Sequence, residues 1–252
     1  MFSQLSYLHP PYVSAVAQTI SLSFTQDPLI RWLRPKAPLW SPSQSDINNW
    51  QYRRVQRAVL EGVVLRSSSA AELAQQFPPR GQQENLPESV TVEGDKDAVG
   101  VAALLFPPRS QQRWTLSRIS LALRLWFLDL RDPVNDNGAD EKRVEMLLDT
   151  HDRSMDMIND RYHVKDLRYL EVIAVHPSLQ GRGLGKIAMN GILEYVDHQS
   201  IVLECTAEQN VGFYAALGFE VIEKVNLADG GEAVDCWVML RKAAQKKVDS
   251  SR

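Results

Sequence analysis

At 252 residues, 44% hydrophobic and 23% charged, the chain is long enough to bury a core and has the balance of a globular protein, not of a disordered or fibrous one. Its 28 basic and 31 acidic side chains leave a net charge of −3, which exerts no overall pull toward nucleic acid or an anionic membrane. The two cysteines, Cys205 and Cys236, are too few for a disulfide framework or, with no histidine close in sequence, a zinc cluster; a reducing cytoplasmic setting, inert thiols and no metal are expected.

The first ten residues lack the basic and then apolar pattern of a leader. A short strand is expected over residues 6–9. A helix comes next, with Val13, Val16, Ala17, Ile20 and Phe24 at helical spacing. Asp27-Pro28 ends it, because the residue before a proline leaves the helical region. Residues 35–45, rich in proline and serine, read as loop, and 50–65 as a helix with Val55, Ala58, Val59 and Val63 on one side. Residues 77–85 form a solvated connection. Residues 89–93 and 99–106 read as two strands of a hairpin that turns at 95–97 and stops at Pro107-Pro108.

Residues 113–130 fit an amphipathic helix. Its most apolar part, 119–130, contains Arg124 and is too short to cross a bilayer, so a core or amphipathic helix is expected there. After a break at 135–138, a second helix covers 139–161. Residues 111–161 together look like a helical insertion or lid. The last third is strand (170–175), glycine-rich loop, helix (184–198), strand (200–205), short helix (210–217) with Gly218 as its C-terminal cap, and strand (219–225). The turn at Asp229-Gly230-Gly231 leads to a returning strand (233–240).

The loop reads Gln180-Gly181-Arg182-Gly183-Leu184-Gly185-Lys186, between a buried strand and a helix start. Three glycines let the backbone turn sharply and approach a ligand. The first amides of a helix lack internal partners and sit at the positive end of its dipole, so a phosphate group fits there. A P-loop would need a glycine at Gln180 and a hydroxyl at Ile187. Gly183-Leu-Gly185-Lys-Ile-Ala188, with Glu204 further on, matches the dinucleotide fingerprint in spacing. However, residues 176–182 separate the strand from the first glycine, and the chain from Cys205 onward is too short and hairpin-like for a parallel sheet.

The motif Gln180-x-x-Gly183-x-Gly185, the preceding Val172-Ile-Ala-Val-His-Pro177 and the later Asn210-Val-Gly-Phe-Tyr214-Ala-Ala-Leu-Gly218-Phe219 resemble the GCN5-related N-acetyltransferase (GNAT) superfamily. The resemblance covers residues 167–240. It implies an α/β (α+β) fold: a mixed, mostly antiparallel, splayed sheet flanked by helices, with a helical insertion before the central strand. One domain would span 1–252. Residues 1–110 would form the substrate side, 111–161 the insertion, 167–240 the acetyl-CoA-binding core and 241–252 a flexible tail.

The resemblance further implies an acetyl-CoA-dependent N-acetyltransferase that transfers an acetyl group to a primary amine by direct attack on the thioester. Acetyl-CoA would be the co-substrate. Pantetheine would lie in the splay against the backbone of Ile173, Ala174 and Val175, and pyrophosphate on Gln180, Gly181, Arg182, Gly183, Leu184, Gly185 and Lys186. Asn210 would contact the cofactor or cap its helix. Tyr214 is the candidate acid for the leaving thiolate. Glu171 is the candidate base, since a carboxylate inside an apolar strand is costly unless paired or functional; a salt bridge is the competing role. Strand alternation puts Glu171 on the face of Tyr169, Ile173 and Val175; Tyr169 could line the acceptor site, and His176 is read as exposed, with no role. Trp32, Arg31 and Arg34 could line an acceptor pocket, or Leu29, Trp32 and Leu33 could anchor the core. The expected partner is a small-molecule amine, with no nucleic acid or membrane, and the expected state a monomer or homodimer. A peptide amine and a non-catalytic acyl-CoA-binding module are the alternatives.

Overall fold

The computed structural model describes residues 5–7, 12–35, 45–78, 98–108, 123, 126–127, 130, 138–164, 166–197 and 199–243. The expectations for 8–9, 79–97, 244–252 and most of 109–137 lie outside them, while Arg241, expected in the tail, is in a strand. Seven strands form one sheet: β1 (Ser6–Tyr7), β2 (Val63–Arg66), β3 (Val101–Phe106), β4 (Leu167–Val175), β5 (Ser200–Cys205), β6 (Glu220–Asp229) and β7 (Glu232–Arg241). Their spatial order is β1-β2-β3-β4-β5-β7-β6. Every neighbouring pair is antiparallel except β4 and β5. This is the mixed, mostly antiparallel sheet that the motifs imply.

The helices are α1 (Val13–Ser23), α2 (Pro28–Leu33), α3 (Ser45–Glu61), α4 (Ala70–Gln76), α5 (Glu141–Tyr162), α6 (Leu184–Val196) and α7 (Glu208–Ala215). The apolar stripe of α1, Val13, Val16, Ala17 and Ile20, packs with Val55 and Ala58 of α3 on Ala102, Leu104, Val172 and Ala174. On the same face, Met155 and Ile158 of α5 meet Val202, Val238 and Leu240. Alternate residues of the strands face the other way, so Met189, Ile192 and Val196 of α6 pack on Ala103, Leu105, Leu170, Ile201 and Leu203. A fully buried aliphatic side chain such as Ile158 or Ile192 contributes about 1.5–3 kcal/mol of transfer free energy. None of the described helices is long and apolar enough to cross a membrane.

Several expectations change. Residues 50–65 are not one helix: α3 ends at Glu61, and Val63–Arg66 form β2. Gly62 marks the change, because a Cβ there would stand 2.5 Å from the carbonyl oxygen of Leu105. Asp27-Pro28 starts a helix as well as ending one. The Asp27 carboxylate accepts from Ile30 N at 3.0 Å, and Pro28 occupies the first turn of α2. Ser69 likewise caps α4. β3 is flanked by β2 and β4, not by the other arm of a local hairpin. His176 is buried, and its ring holds the Ser178 hydroxyl at 2.8 Å.

The central strand contains the change that matters most for the site. Leu104 pairs with Val172 but Leu105 with Leu170, so Glu171 is an extra residue in the ladder. Such a bulge resets the alternation of faces. Tyr169, Glu171, Val172 and Ala174 therefore lie toward α1, α3 and α5. Ile173 and Val175 lie on the opposite face, not beside Glu171 as strict alternation predicts.

Candidate active site

β4 and β5 pair only from Leu167–Ser200 to Leu170–Leu203. Beyond that point β4 continues to Val175 without a β5 partner, and the sheet opens. An open cleft of about 1300 Å³ occupies the gap. Pockets for one small ligand measure roughly 300–1,000 Å³, so there is room for more than one reactant. The cleft is lined by Ile173, Ala174 and Val175, by Gln180, Gly181, Gly183, Leu184, Gly185 and Lys186, and by Asn210, Phe213 and Tyr214 of α7. Ser23, Phe24, Asp27 and Pro28 line it between α1 and α2, and Val234 and Trp237 on β7.

Two glycines shape the loop. Gly181 and Gly183 have φ of +75° and +85°, a left-handed conformation that side chains resist, and Gly183 is the N-cap of α6. The first residues of α6, Leu184, Gly185 and Lys186, line the cleft. Arg182, expected to face a ligand, does not line it. Its guanidinium donates to Phe77 O at 2.6 Å and Ser178 O at 2.7 Å, bracing the loop against the end of α4. Lys186 is exposed and lines the cleft. The carbonyl oxygen of Val175 accepts from the Ser23 hydroxyl at 2.9 Å and from Gln180 Nε2 at 3.1 Å.

Tyr214 lies on α7 beside Phe213 and Phe219, ring centroids 5.1 and 5.9 Å away. Burial, with Cys205 nearby, pushes its phenol well above the usual tyrosine range, so it stays protonated and able to donate. Asp27 faces the same cleft from the start of α2. Burial raises its pKa against the Thr206 hydroxyl bond, the backbone bonds and the charge of Arg54. A donor and a carboxylate with raised proton affinity therefore border one cavity.

The Acetyltransferase (GNAT) family matches residues 154–219, which contain β4, the glycine loop, α6, β5 and α7. The fold and the order of these elements agree with that match. Over these residues the chain is similar to the GNAT family. A structure described as histone acetyltransferase HPA2 and related acetyltransferase, from Corynebacterium glutamicum, is similar at a TM-score of 0.57 and 14% identity, covering 98% of this chain and 100% of that one. Arylalkylamine N-acetyltransferase 2 from Aedes aegypti is similar at a TM-score of 0.56 and 12% identity, covering 94% and 97%. A Drosophila melanogaster polyamine N-acetyltransferase that catalyses formation of N-acetylagmatine gives 0.53 and 14%, covering 94% and 98%. No curated protein sequence matches significantly.

Around this cleft the remaining expected residues fall differently. Asn210 lines the cavity and is not the cap of α7, a position held by Ala207. Glu171 does not line it. Its carboxylate accepts from Arg54 Nε at 2.6 Å and Arg57 Nη2 at 3.3 Å. Burial pushes the Glu171 pKa up, but the two arginines outweigh that and hold it below the usual carboxylate range. Tyr169 is also outside the cleft. Its hydroxyl donates to Glu204 Oε2 at 2.9 Å, and His151 Nδ1 meets Glu204 Oε1 at 2.8 Å. Trp32 and Leu33 are core residues, packed with Leu227 and Val234. Asp27 is a cleft residue that the sequence did not bring forward. The signal that could have found it is the Asp-Pro pair at the start of α2, which fixes a carboxylate at a chain reversal, but in sequence the pair reads as a helix stop.

Proposed function

We propose that this protein is an acetyl-CoA-dependent N-acetyltransferase for the primary amine of a small molecule. One observation carries the reading: a single cleft through the splayed sheet joins the glycine loop and Tyr214 on one side to Asp27 on the other. Acetyl-CoA would bind as co-substrate, with its phosphates at the α6 amides and Lys186 and its pantetheine along Ile173–Val175. The acceptor would enter from the α1–α2 side, between Phe24, Pro28 and Val234.

The chemistry needs little more. An ammonium must lose a proton before it can attack, and Asp27, with its raised proton affinity, is the group in the cleft suited to take it. As the nitrogen–carbon bond forms and the carbon–sulfur bond breaks, the Tyr214 phenol donates to the departing sulfur. Asp27 takes the role of base that the sequence suggested for Glu171, which is held by two arginines outside the cavity. The apolar walls beside Asp27 favour an amine on a compact apolar body over an extended peptide.

The test is thiol release from acetyl-CoA by the purified chain, with small aryl and alkyl primary amines in one series and amine-bearing peptides in another. Turnover in the first series, abolished by Asp27→Asn, supports the proposal. Turnover in the second alone would make this a peptide acetyltransferase. Acetyl-CoA binding without turnover in either would leave the non-catalytic alternative.

A further inference from the structure

Two walls of the acceptor side of the cleft come from distant parts of the chain. Asp27 and Pro28 stand at the start of α2, and Val234 is on β7, just after the turn from β6. Trp32 and Leu33 of α2 pack on Leu227 and Val234, so the walls meet through apolar contacts. Such contacts are non-directional and do not by themselves fix how α2 sits along β7. Polar contacts from α5 do.

Arg143 is in the first turn of α5, with its side chain only 7% exposed. Its Nη1 donates to the Trp32 carbonyl at 2.7 Å and to Glu232 Oε2 at 2.7 Å. Its Nε donates to Asp229 Oδ2 at 3.3 Å, and Nη2 stands 3.5 Å from the Asp229 carbonyl oxygen. The guanidinium also lies over the Trp32 ring, 5.1 Å from the centroid. One planar fork therefore holds α2 and both sides of the β6–β7 turn, which the point charge of a lysine cannot do. The start of α5 is itself fixed to α2, because Asp140 N donates to Leu33 O at 2.9 Å.

The Trp32 carbonyl is the contact that reaches the cleft. α2 has six residues, less than two turns, so its ends move together. A slip of α2 along β7 would shift the Asp27 carboxylate and the gap between Pro28 and Val234 at once. The glycine loop takes no part in these contacts. We propose that Arg143 is a positioning residue for the acceptor half of the cleft, fixing the width of its mouth and hence the size of the amine admitted. This rests on the amine-acetylation reading and gives α5 a part in it.

The test compares wild type with Arg143→Met on benzylamine and on the bulkier (naphthylmethyl)amine, with acetyl-CoA affinity measured by titration. The KM for benzylamine should rise about tenfold or more, and the preference for the smaller amine should shrink by a similar factor. Acetyl-CoA affinity should stay within a fewfold of wild type. In hydrogen exchange the amides of residues 29–33 and 229–237 should exchange faster, and those of α6 no faster. A role in folding alone would lower kcat through a smaller active fraction, with KM and preference unchanged, and that result overturns the proposal. So does acetyl-CoA binding weakened as much as amine binding, or exchange that rises throughout the chain or nowhere. If Arg143→Met does not fold, Arg143→Lys carries the same measurements, since it keeps a charge beside Asp229 and loses the fork. A wild type that acetylates neither amine counts against the small-amine reading, and the exchange pattern then decides on Arg143 by itself.

Discussion

The Thr206 hydroxyl donates to Asp27 Oδ2 at 2.5 Å, joining the end of β5 to the start of α2 across 179 residues of sequence. The other carboxylate oxygen accepts from Ile30 N at 3.0 Å. Asp27 is therefore held from two directions at the edge of the cleft while burial raises its pKa. A fixed carboxylate that binds protons more readily than an exposed one suits general-base work near neutral pH better than one paired with arginines.

Asp27→Asn should lower kcat by about 10²–10⁴-fold, the usual range for loss of a general base, with acetyl-CoA affinity within a fewfold of wild type. The pH profile gives a sharper check. Asp27 is active when ionised, so wild-type kcat/KM should rise with pH through an ionisation above the ordinary carboxylate range. The variant should lose that limb. A variant that keeps both rate and limb would remove Asp27 from the mechanism.

Tyr214→Phe separates proton donation from packing. The aromatic contacts with Phe213 and Phe219 survive this change. Turnover should fall roughly 10²-fold while acetyl-CoA binding by titration is retained. Loss of binding with unchanged turnover at saturation would show that the phenol only anchors the co-substrate.

The strand–loop–helix–strand core was legible because its signals are local: an apolar strand, glycines at the turn, and an apolar period in α6. The features that were not legible depend on tertiary pairing. β2 comes after α3 without a change of composition and becomes a strand because β1 and β3 supply its hydrogen bonds. The bulge at Glu171 is set by registration against β3, and no residue type in β4 announces it. It turned an expected cleft residue into the partner of Arg54. Asp27-Pro28 reads in sequence only as the end of a helix, and the place of Asp27 in the cleft depends on Thr206, far away in sequence.

The glycine loop is held by backbone conformation. Gly183 has φ +85° and no neighbour within 4 Å of an added Cβ, so Gly183→Ala suffers from backbone conformation and not from crowding. The cost should be about 1–2 kcal/mol. Relaxation of that strain would turn the first α6 amides away from the cleft. Chemical denaturation should report the stability loss, and calorimetric titration an acetyl-CoA affinity weakened by about tenfold or more. Wild-type affinity in this variant would place the phosphates elsewhere.

Glu171→Gln should act on stability and leave the chemical step nearly untouched. The side chains of Glu171 and Arg54 are only 10% and 20% exposed, so removing the carboxylate strands a largely buried guanidinium at a cost of about 3 kcal/mol. For a chain of this length that is a fall in Tm of roughly 6–12 °C. The folded-state pKa of Glu171 is lowered, so its stabilisation is fully present above its unfolded value, about 4.3, and fades as pH falls through the folded value. The Tm gap between wild type and variant should therefore be wide at neutral pH and close under acid conditions. A gap that stays constant down to low pH would mean that packing, not charge, holds Glu171 in place. A loss of kcat by orders of magnitude in a folded variant would restore Glu171 as the base.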